Sequence, residues 1–191
     1  MVFIQAITKF CNPQAAKCLL LATWWIAGCV PQQPGGPESA AIFRGDGVMV
    51  ARPPEAWQRH RTQSRTLVVA WKERDSNSRI RISKTESGGI GIEEWTKFIL
   101  NLMRAIMETK YNESTLTLLE EGEVKIGNYK FRHQLVGSEV IGPDGTQSGK
   151  QEYYSLEEGG FFYSVALVAS NSKYNKDRLT FQAVLKSFRV E

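Results

Sequence analysis

The sequence predicts an α+β fold: a central antiparallel sheet of about six to seven strands packed between helices, an α/β/α sandwich. Three observations carry this. Strand-like runs come in pairs joined by glycine-rich or polar turns, the way neighbouring antiparallel strands are connected. Helical patterns fall in only two segments, one between strand blocks and one at the end, so strands and helices are segregated rather than alternating. Finally, Leu67–Trp71 and Phe161–Ala169 are apolar at successive positions, as in strands covered on both sides.

The elements follow in chain order. Val48–Ala51 is a short apolar run stopped by Pro53 and Pro54, whose rings cannot continue a sheet ladder. Leu67–Trp71 and Arg79–Ser83 flank Asp75-Ser76-Asn77-Ser78, a turn-forming string, and so read as a hairpin. In the second of these strands alternation turns Ile80 and Ile82 inward and Arg79 and Arg81 outward. Ile92–Thr109 is the clearest helix. Ile92, Trp95, Ile99, Leu102 and Ile106 recur at helical spacing, and Phe98, Met103 and Met107 widen the stripe. Gly91 serves as N-cap, and Glu93 and Glu94 suit the positive end of the helix dipole. A stripe of this kind is expected to pack into the core.

Leu116–Ile126 and Tyr129–Val140 flank Gly127-Asn128, a two-residue hairpin signal. Glu152–Leu156 and Phe161–Ala169 flank Glu157-Glu158-Gly159-Gly160, a second hairpin. Ile141–Gly149 lies between the two hairpins as a polar turn segment. Lys176–Phe188 reads as a closing helix with Phe181, Val184, Leu185 and Phe188 on one face. Trp95 and Phe188 are the expected buried anchors of the two helices.

The first 44 residues read differently. Leu19–Ile26 is a short apolar run preceded by Lys9 and Lys17 and followed by Ala27-Gly28-Cys29. That order is a secretory leader, with small residues before a cut site. A transmembrane helix needs about 20 apolar residues, and this run is too short. Ile26-Ala27-Gly28-Cys29 resembles a bacterial lipobox, which implies cleavage before Cys29 and acylation at that residue. Val30 in place of aspartate then points to outer-membrane sorting, facing the periplasm, if the host is Gram-negative. The expected division is a lipoprotein signal peptide at 1–28, an acylated cysteine and flexible Pro/Gly/Gln tether at 29–44, and one domain at 45–191. The other two cysteines, Cys11 and Cys18, lie in the leader, so the domain has no disulfide, thiolate metal site or cysteine nucleophile.

Charge excludes one class of partner. Lysine and arginine number 24 against 20 acidic residues, and losing Lys9 and Lys17 leaves 22 against 20. A nucleic-acid binder would concentrate basic residues in a stripe interleaved with aromatics. The local basic run Arg59, His60, Arg61, Arg65, Lys72, Arg74, Arg79 and Arg81 has two readings, a solvated strand face or a seat for anionic lipid or polysaccharide.

Four motifs resemble a known family: Ala51-Arg52-Pro53-Pro54-Glu55-Ala56-Trp57 after a strand; the helix start Gly91-Ile92-Glu93-Glu94-Trp95; Leu119-Glu120-Glu121-Gly122-Glu123 with Ile126-Gly127-Asn128-Tyr129-Lys130; and the closing Phe181-Gln182-Ala183-Val184-Leu185-Lys186-Ser187-Phe188. Their order and spacing over Gly45–Val190 are similar to the PsbP/Mog1-like domain family, in its bacterial lipoprotein form. The resemblance implies a central antiparallel sheet between helices. It also implies a life of binding partners rather than turning over substrates, and no site residue of the family is matched here.

No catalytic constellation stands out, and no cofactor or metal site is expected. There are two histidines, His60 and His133. His133 shares a strand face with Phe131 and Leu135, which suits a hydrogen-bonded, half-buried side chain better than a ligand. Gly88-Gly89-Ile90-Gly91 lacks the lysine and spacing of a phosphate loop. Glu120, Glu121 and Glu123 split between two strand faces, and cation sites need more converging oxygens.

The expectation is a monomeric, lipid-anchored, non-catalytic envelope module binding an unidentified protein or envelope polymer, with Arg79 and Arg81 as a candidate binding face. The alternative is a periplasmic carrier or enzyme with a pocket for a small apolar ligand. A cavity lined by Phe98, Met103 and the Phe161–Tyr163 aromatics would favour that alternative.

Overall fold

The computed structural model describes residues 42–191 apart from 62, 63, 112 and 144. The expected signal peptide, Cys29 and nearly all of the tether therefore lie outside the described residues.

Seven strands form one antiparallel sheet: β3 (Trp57–Arg59), β4 (Leu67–Glu73), β5 (Arg79–Glu86), β6 (Glu113–Ile126), β7 (Tyr129–Gly142), β8 (Gly145–Glu158) and β9 (Phe161–Ser170), in the order β3-β4-β5-β9-β8-β7-β6. Three more, β1 (Ile42–Gly45), β2 (Val48–Ala51) and β10 (Arg189–Val190), make a small second sheet in the order β1-β2-β10. Helix α1 (Ile92–Lys110) and helix α2 (Asn171–Ser187) pack on opposite faces of the large sheet. The architecture is α+β, as expected.

Several particulars depart from the sequence reading. The strand Ile42–Gly45 places Phe43 in the core at 6% exposure, so the folded unit reaches three residues upstream of the expected boundary at Gly45. Val48–Ala51 belongs to the small sheet, not the central one. The Ile141–Gly149 segment is not an open turn, because β7 and β8 pair all the way to Gly142↔Gly145. Helix α2 starts five residues before Lys176, at Asn171.

The hairpins turn where the glycines allow it. Gly127 alone has positive φ in its turn, at 59°, matching the position a Gly-X turn requires. Gly159 and Gly160 both have positive φ, at 58° and 79°, which a side chain would resist. The long edge strand β6 carries Glu120, Glu121, Glu123 and Lys125, charges that discourage pairing with another chain.

One core fills the space between the large sheet and α2. Ile80, Ile82, Val165, Leu167 and Phe181 are fully buried there, and Phe188 is 1% exposed among the rings of Tyr129, Phe131 and Tyr163. The small sheet joins this core through Val48 and Val50, both at 0% exposure. Ser187 ties it to α2: its hydroxyl accepts the Ala51 N–H at 2.8 Å and donates to the Val184 carbonyl at 2.6 Å.

Candidate functional site

Two places concentrate unusual chemistry, one on each face of the large sheet. On the α2 face a carboxylate sits where alternation demands an apolar residue. Glu152 shares its strand face with Tyr154 and Leu156 and has 0% exposure. A buried carboxylate survives only if its oxygens are satisfied. Here Tyr174 donates its hydroxyl at 2.8 Å and Tyr154 at 3.0 Å. Arg178 donates from Nε at 3.0 Å and from Nη2 at 3.1 Å, and His133 Nε2 lies 3.2 Å from Oε1. Tyr174 and Arg178 stand one helical turn apart on α2, so both reach down to the same strand.

Burial alone would raise the Glu152 carboxyl, but the bonds from His133, Arg178 and Tyr174 outweigh it and hold the group down at about 2. Burial and the same carboxylate push the Tyr154 phenol up to about 12 and the Tyr174 phenol higher still. His133 beside a carboxylate resembles the orienting half of a catalytic dyad. Yet every partner here is spent on Glu152, and none of these five residues lines the cavity described below. The cluster is a polar tie between β7, β8 and α2. Sequence reading placed His133 correctly as hydrogen-bonded and missed Glu152. The one available signal was a charge at an inward register position of Gln151-Glu152-Tyr153-Tyr154.

The other face is built differently. Helix α1 lies mainly over β6, β7 and β8. Of its residues only Trp95, Thr96 and Leu100 are buried, while Phe98, Ile99, Leu102, Met103 and Ile106 are half-buried. The apolar stripe therefore faces the sheet as expected but does not close on it. The reason is the floor beneath it. Ser83 and Thr85 of β5, Ser155 of β8 and Ser164 of β9 are short side chains, and they leave a half-open cavity of about 70 Å³. Thr66, Gln134 and Tyr153 complete its polar lining.

The floor is tied together by its own hydrogen bonds. The Ser155 and Ser164 hydroxyls are 3.2 Å apart, and the Tyr153 hydroxyl donates to Gln151 at 2.6 Å. Burial pushes the Tyr153 phenol up. Trp95 closes one end, stacked on Phe162 with ring centroids 4.8 Å apart and 13° between planes. Its indole N–H is buried and has no hydrogen-bond partner among the described residues. Of the residues expected at a cavity, Phe98 and Met103 line it and Phe162 backs it through Trp95. Phe161 and Tyr163 belong to the opposite face, with the α2 core.

Arg79 and Arg81 continue the β5 row that supplies Ser83 and Thr85, so they stand on the cavity side of the sheet. Both are half-buried rather than fully solvated, which corrects the expectation of an open solvent face. Burial first, and then Arg79 beside it, lower the Arg81 pKa. His60 of the preceding segment aligns with Ala70, and its N–H bonds the Ala70 carbonyl at 2.8 Å. Burial and the charges of Arg79, Arg81 and Lys72 lower the His60 pKa, so the imidazole stands beside three cations that disfavour its own charged form. Arg59, by contrast, turns to the other face and lies over the Phe43 ring at 5.3 Å.

The acidic residues of β6 do not converge. Glu121 pairs with Arg132 at 3.3 Å and accepts from Gln134 at 3.2 Å, while Glu123 pairs with Lys130 at 2.7 Å. Among the described residues no group of three His, Cys, Asp or Glu could hold a metal ion. Nor is any described helix long and apolar enough to cross a membrane.

No family model matches the sequence, and no curated relative matches it. Solved structures do. Cyanobacterial PsbP (CyanoP) from Synechocystis sp. PCC 6803 matches with a TM-score of 0.56 at 16% identity, covering 85% of this chain and 100% of that one. The Ran-binding protein Mog1p of Saccharomyces cerevisiae gives 0.49 at 10% identity, covering 75% and 90%. LpqN of Mycobacterium tuberculosis, involved in cell envelope biogenesis, gives 0.48 at 10%, covering 75% and 82%. A seven-stranded antiparallel sheet with a helix on each face, closed by the small sheet, is the PsbP/Mog1-like fold, and this chain has it.

Proposed function

We propose that this chain is a non-catalytic binding module of the bacterial cell envelope, anchored by lipid on Cys29, whose seat is the cavity between α1 and the sheet. The observation that carries the binding role is the half-open cavity itself, walled by Phe98, Ile99, Leu102, Met103 and Ile106 over a short polar floor. Among the described residues lining it no general base stands beside a nucleophile, which favours holding a ligand over transforming one. A small ligand with an apolar part, held as by a carrier, suits this cavity better than a protein or polymer partner. The lipobox-like Ile26-Ala27-Gly28-Cys29 supports the anchor and the envelope location.

The cavity is tested with a neutral apolar dye, N-phenyl-1-naphthylamine. It should brighten on binding the protein, and Leu102→Trp, which fills the cavity, should abolish the signal without changing the melting temperature by more than a few degrees. Equal brightening with both proteins would remove the cavity from the reading. For the anchor, Cys29→Ala should move the protein from the membrane fraction to the soluble one. A variant held as tightly as wild type would end the lipoprotein assignment.

A further inference from the structure

We infer that the cavity under α1 takes a compact, uncharged molecule with an apolar body and one hydroxyl, to which the Ser155–Ser164 pair donates and from which Gln134 accepts. This rests on the cavity reading above and adds the class of ligand. Size sets the first limit. An enclosed apolar cavity of about 150 Å³ takes up a benzene ring. The space here is about 70 Å³ and half-open, so it suits a body of no more than one ring, part of it left at the mouth. Charge sets the second. Among the described residues lining the cavity none is charged, and an ion buried there without a counter-ion would forfeit its hydration. Arg132 follows Ser155 in its row across the sheet, but its charge is met by Glu121 at 3.3 Å.

The floor offers one acceptor and one donor that the protein itself does not use. The Glu121 carboxylate has only lone pairs to offer, so Gln134 turns its amide N–H toward it, at 3.2 Å. The carbonyl on the other side of that planar amide has no partner among the described residues, in a residue only 4% exposed. Ser155 and Ser164 stand opposite each other on β8 and β9 with their hydroxyl oxygens 3.2 Å apart. Two hydroxyls joined by one bond spend one hydrogen between them, so the second O–H is left to donate elsewhere. The Tyr153 hydroxyl does not compete, because its hydrogen goes to Gln151.

These two groups are near enough to share one ligand atom. Gln134 aligns with Tyr153, and Ser155 lies two residues further along β8 on the same face. Such diagonal neighbours stand about 7–8 Å apart at the backbone. One hydroxyl between them spans two hydrogen bonds of about 2.8 Å each. An ether or ketone would answer the serine pair alone, whereas a hydroxyl answers both. Phe98, Leu102 and Met103 then cover the apolar body from the helix side.

NMR titration of the full chain with phenol, toluene, anisole, benzoate and benzylammonium, read from the backbone amides of α1, β8 and β9, tests this at neutral pH. Phenol should bind about threefold or more tighter than toluene, although toluene is the more readily expelled from water. Anisole, which accepts but cannot donate, should bind more weakly than phenol, and so should both ions. Ser155→Ala with Ser164→Ala removes both members of the pair and so strands neither. It should reverse the order, toluene then binding tighter than phenol, with toluene itself within about twofold of its wild-type affinity. Gln134→Leu should bring phenol down to the level of anisole. Toluene binding the wild type as tightly as phenol, or a serine double variant that still prefers phenol, would overturn the hydroxyl while leaving the cavity intact. Either ion binding as tightly as phenol would overturn the uncharged class. No shift of these amides with any probe would overturn the cavity reading as well.

Discussion

The two faces of the large sheet bury the same kind of helix to different depths. On the α2 face Phe181, Val184 and Leu185 are 2% exposed or less, and they share one core with Ile80, Ile82, Val165 and Leu167. On the α1 face a more regular apolar stripe nevertheless stays half-buried over serines and threonines. The difference lies in the strands, not the helices. In β9 the residues Tyr163, Val165 and Leu167 point to α2, whereas Ser164 and Ala166 point the other way. A helix needs a rough apolar surface to interdigitate with, and a row of short side chains leaves the apolar side of α1 unmatched. Stability and binding are thereby assigned to different sides of one sheet.

The sharpest way to break this contrast is by truncation. Phe188→Ala, on the filled side, should cost about 3–5 kcal/mol by urea unfolding. Trp95→Ala, at the one closed end of the α1 layer, should cost a similar amount because its stack on Phe162 is lost. Loss of less than about 1 kcal/mol at Phe188 would mean the α2 layer is not the stabilising one.

The polar tie offers the next largest effect. A carboxyl depressed to about 2 in the folded state contributes stability that is complete above its unfolded value near 4.5. That contribution should disappear as pH falls from about 4.5 toward 2, because protonation then favours the unfolded chain. Glu152→Gln should be less stable at neutral pH and should flatten the acid limb of the stability curve in that window. An acid limb as steep as that of wild type would place the responsible carboxyl elsewhere.

Smaller effects belong to the hollow side. Leu102→Ala should cost only about 1 kcal/mol, since the side chain already borders open space. Arg79→Ser with Arg81→Ser, which removes two half-buried side chains outside the filled core, should cost well under the Phe188→Ala loss, on the order of 1 kcal/mol. A Leu102→Ala cost equal to that of Phe188→Ala would remove the distinction between the faces.

Much of this architecture was legible in the residues. Turn chemistry at Gly127-Asn128 and Gly159-Gly160 located two hairpins, and helical spacing located α1 to within a residue. The short strands β1, β3 and β10 were not legible, because two to four residues carry too little periodicity to stand out. The start of α2 was missed because Asn171-Ser172-Lys173 looks like a turn until Tyr174 and Arg178 are seen to face Glu152. Periodicity also tells which side of α1 faces the sheet but not how far the helix stands off. That distance is set by Ser83, Ser155 and Ser164, which are remote in sequence. Arg79 and Arg81 were found from alternation alone. Their place beside the cavity needed the β5–β9 and β8–β9 registers.

The strand order has a consequence for how the chain reaches this state. Strands β6 to β9 follow one another both in sequence and in space, so each pairs with the strand just made, across a tight turn. The earlier block joins them along a single seam, β5 on β9, where Glu86↔Phe161 and Arg79↔Val168 are 75 and 89 residues apart. Closing a loop of that length costs entropy before any contact repays it, so the four-stranded meander should nucleate and the seam should zip later. Stopped-flow refolding can separate the two steps. Gly127→Ala, which strains the first turn of the meander, should slow folding, whereas Ile80→Val, on the seam, should chiefly speed unfolding. The reverse pattern would mean that the seam is laid down first and the meander grows from it.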